Sequence, residues 1–163
     1  MRKARQFIAT GAGASLGFTL VEVLVVVTIT GILAALAIPA YTGFLEKTRV
    51  QRAIVEIRSI STAITIYYNE NQSTYPATLA VIGQGDLKDP WGNQYQYLKI
   101  EGANLAGNGG KRRDRFLNPL NTDYDLFSMG PDGQSQDALG AEKSRDDIVR
   151  ANNGGFVGCA SDF

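Results

Sequence analysis

Leu16-Gly17-Phe18-Thr19-Leu20-Val21-Glu22 decides how this chain is read: a glycine meets a phenylalanine, and a carboxylate lies one helical turn into an otherwise apolar run. The run continues to Ile38. As a helix from Phe18 it would span roughly 31 Å, at about 1.5 Å per residue, close to a bilayer core of roughly 30 Å. Glu22 is therefore an ionisable group inside a membrane-length segment. Such a group carries a transfer penalty of a few kcal/mol at mid-bilayer and normally has a partner or a task. Two plainer readings stand beside a processed anchor. One is an ordinary secretory signal, with Ala35-Leu36-Ala37 as a small-residue cleavage site; the other is an unprocessed signal anchor. Secretory cores are usually only about 7 to 15 residues long, which disfavours the first. Basic residues do not set the orientation, because Arg2, Lys3 and Arg5 precede the span while Lys47, Arg49 and Arg52 follow it closely.

The 163 residues leave room for one anchoring helix and one small domain. Lys and Arg balance Asp and Glu at 16 each; without Arg2, Lys3 and Arg5 the chain has 13 basic residues against 16 acidic. That mild acidity does not suggest a nucleic-acid partner, which calls for a basic face. The chain contains no histidine, so the most frequent general base and imidazole metal ligand are missing. Cys159 is the only cysteine. It cannot form an intrachain disulfide, it has no histidine to activate it, and it reads as a small packed or partly exposed residue near the C-terminus. No nucleophile–base pair can be drawn, so the sequence points to a non-enzyme.

Beyond Ile38, Pro39 removes a backbone donor from the helix and Gly31 is a second soft point. Two readings stay open there, a static kink or a stretch that can unwind during packing. Ile54, Ile57, Ile60, Ser61, Ile64, Tyr67 and Tyr68 recur at spacings of three and four, which predicts an amphipathic helix ending near Asn69 to Asn71. With the apolar run this makes one helix of roughly 75 Å. Pro76 to Gly83 reads as a short helix, Tyr95 to Ile100 as a half-buried strand, and Tyr124 to Met129 as another. Ala103 to Arg115, rich in Gly, Asn and Arg, reads as a hairpin or irregular insertion whose Lys111-Arg112-Arg113 run is either a solvated loop or a partner contact.

A short basic leader, then Gly17 and Phe18-Thr19-Leu20-Val21-Glu22 opening an apolar helix, resembles the type IV prepilin and pseudopilin signature. The resemblance implies cleavage by a prepilin peptidase between Gly17 and Phe18 on the cytoplasmic side, and methylation of the new Phe18 amine. It implies a leader 1–17, a transmembrane half 18–39 and a periplasmic domain 40–163, anchored in the inner membrane by a single pass. A free α-amino group has a pKa near about 7.7 to 8, so the terminal amine of Phe18 would be mostly cationic and could pair with Glu22 of a neighbouring subunit. Breaking one side of a buried ion pair costs about 3 to 5 kcal/mol, enough to select register during assembly.

Two further segments narrow the family: Asp89-Pro90-Trp91-Gly92-Asn93-Gln94-Tyr95-Gln96-Tyr97, and Asp125 to Gln134, which reads Asp-Leu-Phe-Ser-Met-Gly-Pro-Asp-Gly-Gln. Both resemble the major pseudopilin of type II secretion systems, the G component. That family implies an α+β fold, with a long N-terminal helix laid on a small antiparallel sheet and a calcium ion in a late loop. Carried over by position, Asp132, Asp146 and Asp147 match the acidic calcium ligands and the Met129 carbonyl matches a backbone ligand. Calcium takes six to eight oxygen ligands, and these carboxylates could supply some of them without His or Cys. The competing reading has Asp146 and Asp147 capping an element end and pairing with Arg145 or Arg150.

The implied function is structural: a homopolymer, joined by other pseudopilins and built on an inner-membrane platform, forms a periplasmic filament that helps push folded proteins through the outer membrane. The alternatives are a type IV pilus pilin, or a tethered minor pilin that binds a partner through 103–115 or 152–163. The sequence departs from the family pattern in the long, weakly acidic stretch 134–145 and in an unusual tail, Val149 to Phe163.

Overall fold

The three-and-four spacing forms the helix that it predicts. In the computed structural model, which describes residues 17–103 and 109–163, α1 runs Leu20–Glu70 and is continuous through Gly31 and Pro39. The leader 1–16 and the tip of the insertion lie outside the described residues. Thr28 and Thr30, in the apolar half, donate their hydroxyls to the carbonyls of Leu24 and Val26 at 2.7 Å each. Their polar groups are thus satisfied within the helix, which is what a hydrocarbon surrounding demands. At the other end the backbone N–H and side-chain amide of Asn71 both donate to the Tyr67 carbonyl, and positive φ at Gln72 and Ser73 turns the chain away.

The chain divides into two compact units after Thr42, three residues beyond the sequence boundary at Pro39. In the first, every apolar side chain of α1 is exposed, and an 18-residue window has a mean hydropathy of 2.6 with none of it buried. The helical residues described in this unit make a stretch long and apolar enough to cross a membrane.

In the second unit, four strands make an antiparallel sheet in sequence order: β1 Gln96–Lys99, β2 Tyr124–Ser128, β3 Ile148–Ala151 and β4 Phe156–Cys159. β1 pairs with β2 over four residues and β3 with β4 over four, while β2 and β3 share a shorter ladder. The period of two divides the strand residues between two faces. On one face Tyr124, Leu126 and Ile148 pack with Ala53, Ile57, Ile60 and Ile64 of α1. Each fully buried isoleucine contributes about 1.5 to 3 kcal/mol to holding helix on sheet. On the other face Phe127, Val149 and Ala151 pack with Leu117, Leu120, Leu139, Phe156 and Ala160. The loops between β1 and β2 and between β2 and β3 therefore cover the sheet face that α1 does not.

The α+β expectation, a long helix on a small antiparallel sheet, matches this arrangement. Three local expectations change. Pro76 to Gly83 holds only one 3-10 turn, Leu79–Ile82, closed by Gly83 at φ 71°; Thr78 is still extended, and buried Pro76 instead offers its carbonyl to the Tyr97 hydroxyl at 2.8 Å. The tail that looked anomalous is the β3–β4 hairpin, turning at Asn152–Gly154 with Asn152 and Asn153 at positive φ. Asn-Asn-Gly-Gly between two apolar runs is a turn signal that could have revealed it. Finally, the basic run of the insertion is not wholly solvated: Arg112 is 2% exposed and Arg113 bridges to Ala138, while Arg115 is exposed.

Cys159, on β4, is half-buried, and burial, followed by the nearby Asp162 and Asp146 carboxylates, pushes its thiol above the ordinary range. Thiolate is the reactive form. Labelling by a thiol reagent at pH 8 is expected to be about tenfold or more slower in the native protein than in urea-unfolded chain, and equal rates would refute this account of Cys159.

Candidate functional sites: the amino-terminal segment and the polar clasp of the head

Gly17, Phe18 and Thr19 precede α1 in exposed, non-helical backbone. The Thr19 N–H and hydroxyl both donate to Glu22 Oε2 at 2.9 Å, and the Glu22 N–H donates to Thr19 Oγ1 at 3.2 Å. This is a capping box, in which the side chain at the helix start and the one three residues on satisfy each other's backbone donors. Glu22 also lies in the first turn, where the helix dipole favours negative charge. Within a single subunit its carboxylate is thus held by local donors, and nothing else in the described chain neutralises it.

In the head, the two family-like segments form one polar clasp. Asp89 is 4% exposed, and its Oδ1 accepts the backbone N–H groups of Trp91 and Asn93 at 3.0 and 2.9 Å. Its Oδ2 accepts the Ser128 hydroxyl at 2.5 Å. Asn93 Nδ2 donates to the Gly130 carbonyl at 3.2 Å, and a side chain on Gly130, at φ 63°, would collide with the Asp146 backbone. From α1, Glu46 accepts the Trp91 indole N–H at 2.9 Å and Glu56 accepts the Tyr95 hydroxyl at 2.6 Å. Burial first, and then Glu56, push the Tyr95 hydroxyl far above its ordinary pKa, so it stays a donor at every physiological pH. The carboxylates of α1 are thereby tied to the first segment, and that segment to the second.

The three acidic residues matched to the calcium loop divide into two groups. The Asp132 N–H donates to Asp146 Oδ2 at 3.3 Å, and Asp132 Oδ1 accepts the Gln134 N–H at 2.7 Å. Asp147, fully buried, is held separately: its Oδ2 accepts Arg112 Nη2 and the Ser135 hydroxyl, both at 2.6 Å. Neither Arg145 nor Arg150 pairs with it; Arg150 binds Asp123 at 2.5 Å and stacks on Tyr124.

Residues 14–38 match the prokaryotic N-terminal methylation motif. Along most of its length the chain is also similar to the type II secretion system core protein G of Vibrio cholerae, with 35% identity covering 72% of this chain and 82% of that protein. The core protein G of Pectobacterium carotovorum is 31% identical, over 76% of this chain and 82% of its own length. The chain belongs to the type II secretion system core protein G family. A fimbrial protein of Neisseria meningitidis is 34% identical as well, over 52% of this chain and 49% of its own length.

Against the G-family expectation of calcium, the donor set fits poorly. Among the described residues no three carboxylate, thiol or imidazole groups are placed to hold one ion. Asp132 and Asp146 come together, but Asp147 faces a guanidinium, and a divalent cation beside Arg112 would be repelled. Asp147 Oδ1 and Arg112 Nε, both buried, have no hydrogen-bond partner among the described residues. The sequence reading missed Arg112, Ser135 and Asp89 as organising residues. Asp89 was visible as the head of Asp-Pro-Trp-Gly-Asn, whereas Arg112 sat hidden between two other basic residues.

Proposed function

We propose that this chain is a structural subunit of the type II secretion pseudopilus. A prepilin peptidase cuts between Gly17 and Phe18, the Phe18 amine is methylated, and residues 18–39 hold the subunit in the inner membrane with its head in the periplasm. Subunits then leave the bilayer by docking the exposed apolar half of α1 against one another, with other pseudopilins and the inner-membrane platform taking part. The filament helps push folded proteins through the outer membrane, and the subunit carries no catalysis of its own. The observation that carries this reading is a membrane-length apolar helix, opening on Thr19 and Glu22, joined to a head in which the two G-like segments make a single clasp.

Deleting the gene and restoring it on a plasmid tests the proposal. Secreted proteins are expected to accumulate in the periplasm without the subunit and to leave the cell once it is restored. Mass spectrometry of the restored subunit should show a chain that begins at Phe18 and is one methyl group heavier than its sequence. Normal secretion in the deletion strain together with loss of surface fibres would support instead the pilus reading, which the partial match to the fimbrial protein favours.

A further inference from the structure

The run Lys111-Arg112-Arg113 has the composition of a solvated loop, yet Arg112 is almost completely buried. Its position is set from four directions. Nη2 reaches Asp147 at 2.6 Å, Nη1 donates to the Ser135 hydroxyl, the face of the guanidinium lies 4.1 Å from the Phe127 ring centre, and the Arg112 backbone N–H donates to Asp125 Oδ2 at 2.7 Å. Asp125 is itself 1% exposed and is held through its other oxygen by Asn121. Backbone pairing on either side anchors the segment: Leu120 donates to the Arg112 carbonyl at 2.7 Å and Leu139 to that of Arg113 at 3.0 Å. One guanidinium therefore joins the end of the insertion, strand β2, the loop at Ser135 and the residue just before β3.

A bound divalent ion in a late loop would do the same work, drawing distant oxygens together and neutralising a buried carboxylate. We infer that Arg112 is the resident cation of this loop, taking the place of a metal ion, and that the head folds and holds its late loop without calcium. Asp147 is neutralised by a side chain of the same chain. The other two candidate ligands, Asp132 and Asp146, are engaged with backbone N–H groups and lie outside that pair. Charge-assisted, multiply hydrogen-bonded guanidinium contacts are strong and geometrically specific, which suits a fixed internal bridge. The inference does not depend on the proposed assembly role, since a filament subunit can be closed by either kind of cation.

The test uses the full-length chain purified in detergent and melted in excess calcium chloride or in excess EGTA, with Trp91 fluorescence as the readout. The wild-type midpoints are expected to agree within about 2 °C, because a ligand that binds only the native state would raise the midpoint. Arg112→Met is expected to melt about 5 °C or more below wild type in both conditions, since it strands a buried carboxylate. Arg112→Lys keeps the charge but cannot span Asp147 and Ser135 together, so it should fall between the two and serves if Arg112→Met does not accumulate. A wild-type midpoint several degrees higher in calcium than in EGTA would overturn the inference, as would an Arg112→Met or Arg112→Lys protein that melts like wild type. Secretion in the wild-type strain would remain intact in either event, which separates failure here from failure of the assembly reading.

Discussion

Glu22→Gln is expected to leave the subunit cleaved and its helix start intact, yet to reduce polymer about a hundredfold or more. Glutamine serves nearly as well as glutamate in a capping box, so the bonds from Thr19 survive the substitution. What the variant loses is the negative charge that would receive a neighbour's terminal amine. Leaving one member of a buried pair without its partner costs about 3 to 5 kcal/mol, and each 1.4 kcal/mol is about tenfold in an equilibrium constant. Glu22→Ala removes the cap as well and should be at least as defective. The measurement is the yield of sheared filaments alongside the ratio of cut to uncut subunit. Wild-type filament yield from Glu22→Gln would reduce Glu22 to a capping residue and end the pairing hypothesis.

Asp89→Ala should be the most damaging single polar change in the head. It removes an acceptor that serves two backbone N–H groups and one hydroxyl in a buried setting. Hydrogen bonds to charged groups contribute about 1.5 to 3 kcal/mol each, and leaving buried donors unmet adds to the loss, so about 3 kcal/mol overall is a conservative expectation. For a head of this size that lowers the melting midpoint by about 10 °C. Ser128→Ala deletes one of the three bonds to Asp89, together with the bond its hydroxyl accepts from the Gly130 N–H at 3.1 Å, and should cost about 2 kcal/mol. Trp91 is the only tryptophan and its backbone N–H is one of the donors, so its fluorescence reports on the clasp directly. A variant melting within about 2 °C of wild type would mean that the clasp does not hold the head together.

The helix, β1 and β2 were legible because their signals are local. Ile57, Ile60 and Ile64 repeat at helical spacing, and Tyr95 and Tyr97, two residues apart, both turn to the core that α1 shares. The β3–β4 hairpin was harder to read, because β3 carries Arg150, a charge that pattern reading assigns to solvent. Arg150 is buried only because Asp123 and the Tyr124 ring, both distant in sequence, receive it. Arg112 shows the same difficulty more sharply: its partner lies 35 residues away and nothing in Lys-Arg-Arg marks the middle residue as special. The clasp falls between these cases. Its two segments could be recognised as motifs, but that Asp89 of one binds Ser128 of the other is a tertiary fact.

The short reach of the sheet also matters for how heads behave when crowded side by side. β1 and β4 are its open margins, and each is only four residues long. Because outward-pointing donors and acceptors alternate along a strand, such a margin presents only about two pairs to an intruder. A foreign strand would gain too little there to stay. Clumping by sheet extension is thereby discouraged, and the contact proposed between copies falls to the greasy stalk.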